Sequence, residues 1–253
     1  MELQGATAVV TGAGKGIGRA IAQMLVQRGA NVALVARREE TLHELQDAID
    51  PERLHTLAVP ANVADEKEVA ALFATVAATW GPVQLLVNNA GVGTKGPTQV
   101  GDYAIEEYDR IVDVNLKGAF FCAREAVQQM RGGRGTIINI ASIAGNKAAP
   151  NVLPYNVSKF GMRALSETLL AENLMSGIKV HTISPGTTRT SIWEAKEKPI
   201  GDDIAANMLD PENVASVAEF LITLPDNVRI DEIVVLPNTF PVRLWDYKLL
   251  DPS

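Results

Sequence analysis

Four tyrosines occur in the 253 residues, and Tyr155 alone has a lysine four positions on, Lys159, within a stretch that reads as helix. Spacing of i, i+4 puts both side chains on one helical face. A free phenol titrates near pH 10, and bringing it to about 7 takes roughly 4 kcal/mol. An ammonium about 4 Å away, at an effective dielectric of about 20, supplies that amount. The pair is therefore read as a proton donor and acceptor. Ser142, just past a predicted strand, offers a hydroxyl to the same place from a neighbouring strand end.

A second constellation lies near the start of the chain. Residues 7–10 read as a strand and lead into Thr11-Gly12-Ala13-Gly14-Lys15-Gly16-Ile17-Gly18 and then a helix. Glycines there let backbone N–H groups approach a pyrophosphate at the helix N-terminus. The spacing is G-x-x-x-G-x-G from Gly12 through Gly16 to Gly18, not G-x-G-x-x-G. Dinucleotide folds usually end their second strand on an acid that bonds the ribose 2′-OH, whereas this chain has Ala36-Arg37-Arg38. Arg37 can fork onto a 2′-phosphate and Lys15 can approach it from the glycine turn, so NADP(H) is expected over NAD(H). The competing outcome is that Glu39 and Glu40 pair with the two arginines.

The elements that must position these groups are legible as alternation. Short β-branched runs at residues 7–10, 31–36, 54–58, 85–88, 136–140, 179–184 and 232–236 are separated by helix-periodic stretches. That is the pattern of βαβ units around a parallel sheet covered on both faces. Helices are predicted at 17–28, ending before Gly29, and from an Asp65 N-cap with Glu68 completing a capping box, as far as Thr79. Others are predicted at 103–130, interrupted near Asn115 to Gly118, at 154–176, and from Asp210-Pro211 to about Leu224. Residues 187–210 have no clean period and are expected to form a lid. No linker divides the chain, so one α/β domain is expected over 1–253, with a tail at 237–253.

Composition narrows the classes. With 23 Lys and Arg against 30 Asp and Glu, the net charge is −7, and 47% of residues are hydrophobic. Phosphate-backbone binding needs clustered cations, and the nearest approach to a cluster is the spaced Arg131 and Arg134, so no nucleic-acid partner is expected. Cys122 is the single cysteine, and His43, His55 and His181 lack ligand spacing, so no metal site is expected. No 18-residue apolar run and no leader pattern over residues 1–10 occur, so no membrane partner and a cytoplasmic setting are expected.

Taken together, these residues resemble the short-chain dehydrogenase/reductase family. The matches are the glycine turn from Thr11 to Gly18, Asn88-Asn89-Ala90-Gly91, Asn115, Ser142, Tyr155 with Lys159, and Pro185-Gly186 with Thr190. They stand in family order across about residues 5 to 236. The resemblance implies a Rossmann-type doubly wound sheet of about seven parallel strands, flanked by helices. It also implies reversible hydride transfer between a nicotinamide and a carbonyl or alcohol carbon of a small molecule. Tyr155 would be the acid, Ser142 would hold the carbonyl oxygen, and Lys159 would lower the Tyr155 pKa and bond the nicotinamide ribose. Asn115 would hold a water leading to Lys159. Asn62 and Val63 would flank the adenine, Asn89, Ala90 and Gly91 the adenosine ribose, and Pro185, Gly186, Thr188 and Thr190 the nicotinamide amide. Dimers or tetramers are implied as well.

The overall pattern is most similar to carbonyl reductases and 3-oxoacyl-carrier-protein reductases of that family. Against the second stand Ser176-Gly177, where such enzymes present basic residues, and Pro237-Asn238-Thr239 in place of Asp-Gly-Gly. The tail from Phe240 through Trp245 and Tyr247 resembles that of small-molecule reductases in which it reaches a neighbouring subunit. Substrate choice is expected from residues 94–97, 143–153, Ile192 and Trp193. Reduction of acyl thioesters, and a cofactor-sensing protein without turnover, are the alternatives; the intact Ser142, Tyr155 and Lys159 set argues against the latter.

Overall fold

The computed structural model describes residues 1–193 and 205–238. In chain order they form β1 (Thr7–Thr11), α1 (Gly16–Gln27), β2 (Asn31–Ala36), α2 (Glu39–Ile49), β3 (Thr56–Pro60), α3 (Glu66–Trp80), β4 (Leu85–Asn88), α4 (Ile105–Val112), α5 (Gly118–Met130), β5 (Gly135–Ile140), α6 (Leu153–Asn173), β6 (Ile178–Pro185), α7 (Pro211–Ile222) and β7 (Glu232–Val235). The seven strands make one parallel sheet in the order β3-β2-β1-β4-β5-β6-β7. This is the parallel sheet expected from the alternation and the Rossmann-type arrangement implied by the resemblance. The order in which strands are added reverses between β1 and β4, which opens a crevice at their carboxyl ends.

Successive strand residues face opposite layers, and both layers are apolar. Ala8, Val10, Leu34 and Val87 pack with Ile21 and Leu25 of α1, Leu42 and Leu45 of α2 and Leu221 of α7. Val9, Val35 and Leu86 pack on the other face, with Leu72 and Phe73 of α3, Ala123 and Ala126 of α5 and Leu169 of α6. Two-sided burial explains why the strands read as continuous apolar runs.

The helix predicted at 154–176 ends at Asn173, and three further departures from the sequence reading have a visible cause. β3 begins two residues later than expected, because the Asp50 carboxylate takes the N–H groups of Leu54 and His55 and the Thr56 hydroxyl, and so holds 50–55 as a turn. Asp65 does cap α3, accepting from Lys67 and Glu68 N–H, but the Glu68 side chain reaches the Asn62 N–H at 2.8 Å and leaves the capping box incomplete. The long helix predicted at 103–130 is α4 and α5 joined by a single π turn, Asp113–Lys117, centred on Asn115. That turn is the irregularity expected near Asn115 to Gly118.

Asp210 caps α7 in a complete box with Asn213. Upstream of it, Thr188 and Leu209 form a bridge, so residues 187–189 lie against the stretch leading into α7. Eleven residues of the predicted lid, 194–204, and the tail from 239, including Trp245 and Tyr247, lie outside the described residues.

Candidate active site

A cleft of about 1240 Å³ opens over the carboxyl ends of the strands. Gly12 leads into it from β1, Arg37 and Arg38 from β2, Asn89 and Gly91 from β4, Ser142 from β5, and Pro185 and Gly186 from β6. Lys15, Gly16, Ile17, Thr188 and Thr190 complete the expected residues that line it, together with Tyr155 and Lys159 of α6.

The glycine turn is built for a close backbone approach. Gly12 and Gly16 have φ of +66° and +54°, which a side chain would strain. The N-cap of α1, Lys15, makes no side-chain capping bond, and the first turn of α1 holds no acid. The initial N–H groups of α1 therefore lack side-chain caps beside the cleft, and its positive dipole end is not offset. That donor set fits a pyrophosphate. At the end of β2, Arg37 and Arg38 are exposed and form no salt bridge among the described residues; Glu39 pairs with His43 instead.

Around Tyr155 the geometry is tight and the electrostatics differ from expectation. Lys159 is 5% exposed, its Nζ lies 5.8 Å from the Tyr155 ring centroid, and it donates to the Ile140 carbonyl at 3.0 Å. Burial pushes Lys159 down to about 8. Tyr155 is also desolvated, which raises its pKa, while a hydrogen bond with Ser142 pulls the other way. The lowering of Tyr155 expected from Lys159 is thus not what the cleft displays. Desolvation disfavours both charged forms. Ser142 itself accepts the Ala144 N–H at 3.2 Å, which leaves its own hydrogen to donate. Gly145 makes this arrangement possible: a Cβ there would sit 2.6 Å from the Lys159 carbonyl oxygen, so the segment after Ser142 lies directly on α6.

Five expected contact residues stand off the lining. Gly18 is buried beneath the turn, where a Cβ would come 2.4 Å from the Gly12 oxygen. The Ala90 N–H is taken by Thr11 Oγ1, and Asn89 turns its amide inward to the carbonyls of Thr11 and Gly12. Asn62 caps Ala64 with its Oδ1, and Val63 packs on Gly118. Asn115 is fully buried; it accepts from Val92 N–H at 2.7 Å and donates to the Val92 carbonyl at 2.9 Å and Ser158 Oγ at 3.1 Å. It thereby ties the segment after β4 to α6.

Sequence reading missed Thr41 and Arg110 on the lining, and the clamp made by Thr11. The signal is weak for Thr11 and Arg110, since the Thr11 clamp on Asn89 and the Arg110 bond to Gly93 join residues distant in sequence. Among the described residues, no group of three His, Cys, Asp or Glu side chains gathers as for a metal, and no helix is long and apolar enough to cross a membrane.

Comparison with known proteins shows the family of the chain. The family model described as short chain dehydrogenase matches residues 6–200. An uncharacterized oxidoreductase of Staphylococcus aureus (strain USA300) is 33% identical over 231 residues, covering 91% of this chain and 96% of that protein. A glycine betaine reductase of Emericella nidulans is 34% identical over 246 residues, 95% of this chain, yet the chain spans only 19% of that protein's length. Two solved structures are similar throughout. A 3-ketoacyl-(acyl-carrier-protein) reductase from Brucella melitensis complexed with NADH has a TM-score of 0.84 at 27% identity, over 93% of this chain and 98% of the other. An alcohol dehydrogenase from the archaeon Thermococcus sibiricus complexed with 5-hydroxy-NADP has a TM-score of 0.82 at 26% identity, over 91% and 95%.

Proposed function

The chain belongs to the short-chain dehydrogenase/reductase family and is an oxidoreductase with a site for a nicotinamide cofactor, and from that premise we propose NADP(H)-dependent interconversion of a small carbonyl compound and its alcohol. The observation that carries the reading is the cleft shared by Ser142, Tyr155, Lys159, the turn at Gly12 to Ile17, whose helix has no side-chain N-cap bond, and Arg37 and Arg38, which form no salt bridge among the described residues. The bound nicotinamide supplies or accepts the hydride. In the reducing direction Tyr155 gives its proton to the substrate oxygen, and its raised pKa keeps that proton in place until needed. Ser142 donates to the same oxygen and holds it. Lys159, with one N–H on Ile140, has others for the nicotinamide ribose. Arg37 and Arg38, with Lys15, would meet the 2′-phosphate, and Asn115 acts by positioning Val92 and Ser158. Gly91, Pro185, Gly186, Thr188 and Thr190 would line the ribose and amide.

The test is a steady-state scan of NADPH and NADH against carbonyl compounds and alcohols, with Tyr155→Phe alongside. The variant should lose turnover while its NADPH affinity stays within a few fold; a normal rate would exclude the acid role. Likeness to the Brucella enzyme favours a second reading, reduction of 3-oxoacyl thioesters, and activity on these but not on free ketones or hydroxy acids would select it. A homodimer or homotetramer is part of the proposal, supported by Phe120 and Phe160, 46% and 43% exposed on α5 and α6. Sedimentation as a monomer would refute it.

A further inference from the structure

We propose that the carbonyl substrate carries an anionic group, received by Arg110 with Lys95 beside it on the wall of the same cleft; this rests on the reductase reading above. The chain's net charge is −7, yet among the described residues every charged side chain on the cleft lining is a cation. Lys15, Arg37 and Arg38 belong to the adenosine end and Lys159 to the reaction centre. Lys95, Arg110 and Lys147 remain, and the cofactor reading gives them no task.

Arg110 is held in place before any ligand arrives. Its Nε donates to Glu107 Oε2 at 2.9 Å, and its Nη2 donates to Glu107 Oε1 at 2.9 Å and to the Gly93 carbonyl at 3.0 Å. Three of the five guanidinium hydrogens are thus committed, and the two on Nη1 have no acceptor among the described residues. Gly93 adjoins Val92, which Asn115 fixes from the same helical run, so the cleft wall is pinned at two consecutive residues. Glu107 offsets one positive charge. Lys95 lies near enough to that carboxyl to join Arg110 in holding it below the usual carboxylate range, so the cluster keeps one net positive charge. A fixed, charged donor on a lining that also offers the apolar side chains of Val92, Ile143, Pro150, Ile192 and Trp193 suits a short oxo compound with an anionic end. The carboxylate of an oxo acid and a phosphate of a thioester carrier share that chemistry.

Matched α-, β- and γ-oxo acids and their methyl esters, with the coenzyme A thioester of the β-oxo acid, are assayed with both cofactors. An acid should exceed its ester in kcat/KM by about tenfold or more, as expected for a charge-assisted hydrogen bond. The ratio should fall toward one in Arg110→Gln, recover in part in Arg110→Lys, and shrink in Lys95→Met. A thioester favoured by an Arg110-dependent margin identifies phosphate as the anion. Equal acid and ester rates without such a thioester preference, or a preference that Arg110→Gln leaves intact, overturn the proposal. Calorimetry with butyrate, inorganic phosphate and butyramide needs no turnover. Anion binding that Arg110→Gln abolishes upholds the site even where no carbonyl compound is reduced, in which case the reductase reading is what fails. Anions bound no better than butyramide overturn the site.

Discussion

Tyr155 and Lys159 share a helical face, and burial works on them in the same sense, towards neutrality. The consequence is directional. Lys159 titrates at about 8, so its ammonium is present below that pH and lost above it. In kcat/KM for the cofactor, which reports the free enzyme, carbonyl reduction should be level in mild acid and fall as pH rises through about 8. Lys159→Arg, which cannot lose its charge in that range, should abolish the limb whatever its absolute rate. Arg37 makes a second prediction at this scale. Arg37→Asp exchanges an attraction for a repulsion at the 2′-phosphate and should move the kcat/KM ratio towards NADH. An unchanged ratio would show that the end of β2 does not read the phosphate.

Between elements, contacts too close for a side chain do the positioning. Gly145 lets the segment after Ser142 rest on the α6 backbone, so Gly145→Ala must push one from the other. We expect a loss of about 1–3 kcal/mol in denaturant stability, and a fall in turnover larger than any change in NADPH affinity, since the turn at Gly12 is untouched. The parallel sheet and its helices were legible because two-sided burial writes each strand as an apolar run and each helix as a period. The glycine turn, Ser142, Tyr155 and Lys159 were legible because they fall at strand ends and on one helical face. Other features were not, because long-range partners decide them. The Asp50 carboxylate delays β3, Glu68 chooses Asn62 over its own cap, and Arg110 acquires its place from Gly93, 17 residues earlier. The electrostatics of Tyr155 were misjudged for a related reason, since spacing reports the neighbour but not the depth of burial.

At the scale of the whole molecule, His181 lies fully buried in β6 with Nδ1 on the Ile230 carbonyl and no partner for Nε2 among the described residues. Burial lowers its pKa, with Lys179, Asp231 and the N-terminal amine also acting on it. The unfolded chain therefore binds this proton more readily, and folding stability is full above about pH 6.5 and lost as pH falls towards the lower folded value. Melting temperature should drop more steeply between pH 7 and 5 in the native chain than in His181→Gln. The bridge between Thr188 and Leu209 bears on how such a molecule changes over time. Because Thr188 and Leu209 meet, the chain between them closes on one point, and doubling the length of a flexible connection there would add only about 0.6 kcal/mol of closure entropy. Evolution, or a protein engineer, can therefore exchange a stretch held between those two residues for one of another length at little cost to the scaffold.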